Sequence, residues 1–139
     1  MNQTLARISI PDDFPPVISG TPALQTMQAH GDVTVYTSRP ETPDELVTRI
    51  REAHTVVNIR AYCKFTAAVL QACPHLQHLA IWGTGTDNVD LAAAQAAGIV
   101  VTGLDHGVGH FRPLSIARQR HLLVYHGIAM RSEDLCQVF

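Results

Sequence analysis

Up to about residue 104, short apolar runs alternate with segments in which apolar residues recur at helical spacing. Arg7-Ile8-Ser9-Ile10-Pro11 is a β-prone run stopped by proline, and Asp12 to Gly20 reads as a proline-containing loop. Thr21-Pro22 opens a helix through His30, with Gly31 just past its end; a capping threonine, proline at the first turn and a terminal glycine form the expected asymmetry. Val33 to Tyr36 is β-branched and aromatic, hence a strand. Thr42-Pro43-Asp44-Glu45 is a capping box, with Leu46, Val47 and Ile50 following at helical spacing through Ala53.

The plan then repeats. Thr55 to Ile59 predicts a strand without polar alternation, as for a parallel strand covered on both faces. A helix is expected over Phe65 to Cys73, a strand over Leu76 to Trp82, and a glycine-bearing loop over Gly83 to Asn88. Asp90 to Ala97 is an alanine-rich helix between a good N-cap and Gly98, and Ile99 to Thr102 is the fifth strand. Strands joined by helical crossovers imply a parallel sheet with helices on both faces. Residues 1–104 are therefore expected to form a flavodoxin-like open parallel five-stranded sheet, an α/β domain.

After Leu104 the character changes. His106 to Ser132 holds four arginines, four histidines and no acid, so residues 105–139 read as a divergent basic tail, with a weak helix over Leu114 to Met130. The chain as a whole, 139 residues with net charge −2, lacks the basic surplus of a general nucleic-acid or anionic-membrane binder. No apolar run approaches the roughly 20 residues of a bilayer span, and the first residues lack the apolar stretch of a signal peptide. Cys63, Cys73 and Cys136 are too few and scattered for a disulfide framework and read as small buried residues. A cytoplasmic protein is the expectation. His75 and His78, and His106 and His110, lack the converging spacing of a metal site and read as surface or loop histidines.

Candidate chemistry sits at the ends of the third and fourth strands. Ligands of open parallel sheets bind outside the carboxyl ends of the strands. Arg60 closes the third strand and Gly83-Thr84-Gly85 the fourth, so both should face one crevice. Successive amides of a glycine-bearing turn make an anion-binding concavity, and an arginine adds a forked contact to a carboxylate. The competing reading is a tight βα turn, with Asp87 and Asn88 bonding local backbone.

The string Ile81-Trp82-Gly83-Thr84-Gly85-Thr86-Asp87-Asn88-Val89-Asp90, with Val56-Val57-Asn58-Ile59-Arg60 before it and Gly98-Ile99-Val100-Val101 after it, resembles the substrate (catalytic) domain of the D-isomer-specific 2-hydroxyacid dehydrogenases. The resemblance is close over residues 55–103 and loose before them. It implies an oxidoreductase that acts on the CH–OH group of 2-hydroxy acids with NAD, Arg60, Thr84 and Gly85 binding the substrate and the loop amides holding its carboxylate. Two departures remove polar groups from the expected pocket mouth: Ala61 stands where relatives often carry serine, and Gly103 where they commonly carry asparagine.

The family's cofactor domain carries a G-x-G-x-x-G fingerprint, and no such string occurs here: Asn88 and Arg112 occupy the third-glycine places after Gly83-Thr84-Gly85 and Gly107-Val108-Gly109. The family's catalytic Arg, Glu and His lie in or after that domain. This chain is thus expected to bind no cofactor, to carry no catalytic residue and to be inactive alone, binding a small 2-hydroxy or 2-oxo acid weakly. The tail reads as out-of-frame translation of a GC-rich gene, a natural remnant or a deliberate truncation being the alternatives. Self-association through the tail and the uncovered interdomain surface is expected. The other functional reading is a non-catalytic flavodoxin-like module for a small carboxylate or a partner protein.

Overall fold

The computed structural model describes residues 5–82, 85–104 and 111–113. Its elements are β1 (Ala6–Ile10), α1 (Pro22–His30), β2 (Gly31–Val35), α2 (Pro43–Ile50), β3 (Thr55–Asn58), α3 (Ala67–Gln71), β4 (His78–Ile81), α4 (Leu91–Ala96), β5 (Val100–Leu104) and β6 (Phe111–Pro113). The strands form one sheet in the order β2-β1-β3-β4-β5-β6. The first five are mutually parallel, giving the flavodoxin-like α/β arrangement expected from the alternating pattern. The sixth was not expected. It runs antiparallel to β5, Gly103 opposite Arg112, and covers peptide groups that the last parallel strand would otherwise leave open. The weak helix expected over Leu114 to Met130 lies outside the described residues.

Unalternated apolar strands supply both faces. Val56, Leu79, Ile81 and Val101 point into one core with Leu46 and Ile50 of α2, Val69 and Leu70 of α3 and Ala94 of α4. Val57 and Ala80 point the other way, into a smaller cluster with Ile8, Ile10, Ile18 and Met27 of α1. Neighbouring residues of a strand face opposite sides, so Val56 and Val57 serve two cores at once.

Helix starts follow the sequence closely. Thr21 Oγ1 accepts the Leu24 amide at 3.3 Å, Thr42 Oγ1 the Glu45 amide at 3.1 Å, and Asp90 Oδ1 the Ala93 amide at 2.9 Å. Glu45 reaches back one residue beyond its box, taking the Glu41 amide at 2.7 Å while also holding Arg49. Gly98 closes α4 at φ +73°, the left-handed conformation that favours glycine.

Three expectations change. Gly31 is extended, not left-handed, and is the first residue of β2. It is glycine because a Cβ there would stand 2.5 Å from the Ala6 carbonyl oxygen. Phe65 is not helical: its N–H and C=O pair with Asn88 O and the Asp90 amide, and α3 starts only after Thr66, whose hydroxyl accepts the Val69 amide. His78 is no surface histidine. It lies in β4 with its ring held inside against Thr102 Oγ1 at 2.8 Å, while His75 stays half exposed near Glu52. Among the described residues no helix is long and apolar enough to cross a membrane.

Candidate functional site

The strand order places a winding reversal between β1 and β3, where loops at the carboxyl ends diverge and leave a crevice. The loop after β1 is fixed from within. Asp13, fully buried, accepts the amides of Val17 at 2.8 Å, Ile18 at 3.2 Å and Ser19 at 3.3 Å, and the Ser19 hydroxyl at 2.9 Å. Four donors on one carboxylate hold the loop in a single shape, and that loop presents the Pro15 carbonyl to β3. Arg60, two residues beyond β3, donates to it at 3.0 Å and so spans the reversal.

Beside Arg60 lies a hollow of about 140 Å³. Asn58, at the end of β3, and Ile59, Arg60 and Ala61 after it line one side, and Ile81, at the end of β4, with Trp82, Gly85, Asp87 and Asn88 after it the other. The structure therefore brings Arg60 and Gly85 to one place, as their positions at two strand ends predicted. Thr84 and Gly83 lie outside the described residues. Gly85 is exposed, has no left-handed backbone, and a Cβ added there would meet nothing within 4 Å. Among the described residues, neither packing nor conformation demands a glycine at this position. Ala61, one of the two departures, does line the hollow; Gly103 does not, because β5 continues through it and buries it opposite β6.

The two walls are tied together by Asn88, for which local backbone bonding was the competing reading, and by Phe65, which was expected to be helical. Asn88 Nδ2 donates to the Cys63 carbonyl at 2.9 Å, a contact 25 residues away in the chain, and Phe65 forms a parallel bridge to Val89. Asn88 and Phe65 are both buried, so this strap is part of the core. An aspartate-asparagine pair after a glycine loop is a familiar turn signal, which concealed the reach of Asn88.

Charge around the hollow is divided. Asp12, buried behind the loop after β1, accepts the Phe14 amide at 3.2 Å and has Arg39 Nε 3.9 Å from its other oxygen. Arg39 in turn lies 4.8 Å from the Tyr62 ring and 5.6 Å from that of Phe14. Cys63 is buried nearby, and desolvation, then the charge of Asp12, pushes its thiol up to about 12. It is a thiol at neutral pH and no nucleophile. Cys73 is buried too, with its thiol raised mainly by burial. Thus a guanidinium and an open glycine backbone stand together at the mouth, an arrangement suited to a small carboxylate.

The chain is similar in sequence and fold to known proteins. Residues 16–106 match the D-isomer specific 2-hydroxyacid dehydrogenase catalytic domain. The chain is 31% identical over 86 residues to human D-3-phosphoglycerate dehydrogenase, a match covering 62% of this chain and 16% of that protein. A solved phosphoglycerate oxidoreductase from Vibrio cholerae shares the fold with TM-score 0.64 and 25% identity, over 73% of this chain and 31% of the other. An NAD+-bound 3-phosphoglycerate dehydrogenase of Entamoeba histolytica shares the fold at TM-score 0.57 and 18% identity, over 72% of this chain and 32% of its own. The chain thus spans about a sixth of the curated human relative and a third of the solved ones. With the match running through the glycine-bearing loop and every parallel strand after β1, the chain belongs to the D-isomer specific 2-hydroxyacid dehydrogenase family.

Proposed function

We propose that this chain is the substrate-binding half of an NAD-dependent D-2-hydroxyacid dehydrogenase, with Arg60 and the backbone of Thr84 and Gly85 holding the carboxylate of a small 2-hydroxy or 2-oxo acid. The observation that carries this reading is Gly85: an exposed glycine at the hollow for which the described residues show no steric use. A missing side chain there leaves room for a ligand to reach backbone amides. Arg60 supports the same reading, since its bond to Pro15 O fixes the guanidinium at the hollow. Its remaining N–H groups can meet an anion. Anchoring the carboxylate would orient the C2 carbon and its hydroxyl.

The chemistry of the nicotinamide, acceptance of a hydride from C2, does not map onto these residues. Asn88 stands where the third glycine of a dinucleotide fingerprint would be, and it is buried and bonded to Cys63 O. We therefore assign no cofactor-binding or catalytic residue to this chain, and expect the 139 residues alone not to turn over 2-oxo acids. A cytoplasmic setting belongs to the same reading, supported by the buried thiols Cys63 and Cys73. Residues 105–139, taken as a divergent tail after the 1–104 domain, supply Leu122, Leu123, Val124 and Ile128 for self-association. A chain ending at Leu104 should then sediment as a smaller species than the whole.

The site is tested by amide NMR of the 139-residue chain titrated with D-lactate. The Gly85 amide and the Arg60 Nε–H should shift, with weak, millimolar affinity. Shifts confined to other residues reject the site, and micromolar binding of NADH rejects the absence of a cofactor site.

A further inference from the structure

Among the described residues, three buried side-chain atoms hold no hydrogen bond: Asp12 Oδ2, Asn58 Oδ1 and Arg60 Nε. All three gather at the carboxyl ends of the neighbouring strands β1 and β3, whose register is set by Ser9 opposite Val56. Native proteins satisfy nearly all such groups, so a local concentration of exceptions asks for a partner. Asp12 has the charge of Arg39 beside it. That leaves an acceptor on Asn58 and a donor on Arg60, two residues apart, and both residues line the hollow.

The strand on one side of Asn58 offers its oxygen no donor. Its register partner on β4 is Ile81, which has no polar side-chain atom, and Asn58 itself is 2% exposed. An acid in the hollow would accept from the guanidinium with its carboxylate. What approaches Asn58 Oδ1 has then to donate. The C2 substituent of a 2-hydroxy acid is a donor; that of a 2-oxo acid is an acceptor and would face another acceptor.

We propose that Asn58 selects the oxidation state of the ligand, its carbonyl oxygen accepting the C2 hydroxyl so that the 2-hydroxy acid binds in preference to the 2-oxo acid. The proposal rests on the carboxylate reading of the hollow given above. A site built to hydrogen-bond one hydroxyl disfavours the analogue without it, because its buried polar atom is then left unpaired. The preference expected from one such bond is about tenfold in Kd.

The test titrates the 139-residue chain, followed by amide NMR, with D-lactate, pyruvate and propionate. These three acids have similar skeletons and differ at C2 in being donor, acceptor or neither. D-Lactate should bind about tenfold tighter than the other two. Asn58→Leu should bring the three acids to parity, and Asn58→Asp, which keeps an acceptor while adding a negative charge, should weaken all three yet retain the order. The Asp variant also decides the matter if the Leu variant does not fold. Equal binding of D-lactate and pyruvate by the parent chain overturns the role of Asn58 while leaving the carboxylate site intact. So does a preference for D-lactate that survives in Asn58→Leu. Tighter binding of pyruvate would put the amide N–H₂ at that position and also overturn it. If no acid moves Arg60 or Gly85, the carboxylate site itself fails and takes the proposal with it.

Discussion

Protonating His78 should destabilise the domain. Its ring sits on the sheet face opposite α2–α4, Nε2 against the Thr102 hydroxyl at 2.8 Å. Burial lowers its pKa from 6.5 to about 4. The hydroxyl can turn to donate or to accept, so the hydrogen bond survives protonation; what fails is the solvation of the charge. Because the folded value lies below the unfolded one, the unfolded chain binds the extra proton first. Stability contributed by the neutral ring is complete above pH 6.5 and is lost as pH falls toward 4. The full interval corresponds to about 3 kcal/mol, and the part between pH 7.5 and pH 5 to about 2 kcal/mol, an upper value because the residue is only part-buried. Urea denaturation of the parent and of His78→Gln at pH 7.5, 6 and 5 isolates this group from the other histidines. The parent should lose about 2 kcal/mol more than the variant over that range. Equal losses in the two proteins, or an NMR titration of the His78 ring with a midpoint near 6.5, would refute the reasoning.

Gly31→Ala should cost about 1–3 kcal/mol in urea denaturation, since its Cβ would lie 2.5 Å from Ala6 O and β1 and β2 would have to separate. Gly85→Ala, with open space at the same atom, should leave the urea midpoint unchanged while weakening D-lactate binding; a drop in stability would show that the glycine serves the fold. Phe65→Ala should lower stability by about 3–5 kcal/mol, measured the same way, because the side chain is fully buried in the larger core. Cys63, its thiol raised to about 12, should resist a thiol reagent at pH 8 in the folded chain and react fully in urea; rapid labelling of the native protein would contradict its burial.

What could be read in the sequence was what depends on near neighbours. The β-branched runs around Ile8, Val56 and Val101 specify strands by composition, and Thr21, Thr42 and Asp90 mark helix starts because a cap bonds an amide three residues away. Arg60 and Gly85 were placed at one hollow because strand ends in such sheets share an edge. Errors came where a distant segment decides. Phe65 looks helical until Asn88 and Asp90 take its peptide groups, and His78 looks exposed until Thr102 is known to lie beside it. Gly31 fits a helix terminus by pattern, but the cause is a backbone carbonyl 25 residues earlier. Asn58, apolar in context and closing a strand, gives no local sign that its oxygen lacks a partner.

The strap between the two walls bears on the thermodynamics of ligand capture. Asn88 bonded to Cys63, and Phe65 bridged to Val89, join residues 63–65 and 88–89 into a single body rooted in the larger core. A flap that must be ordered by its ligand loses conformational entropy at each binding event, and that loss is subtracted from affinity. Here the ties at residues 63–65 and 88–89 were made when the chain folded, so a small acid bound beside Arg60 would meet those parts of the walls already in place. Its weak binding would then report the few groups it touches, with little deducted for reorganisation, and loosening the strap at Asn88 should lower affinity by making each encounter bear an entropic cost that folding had already met.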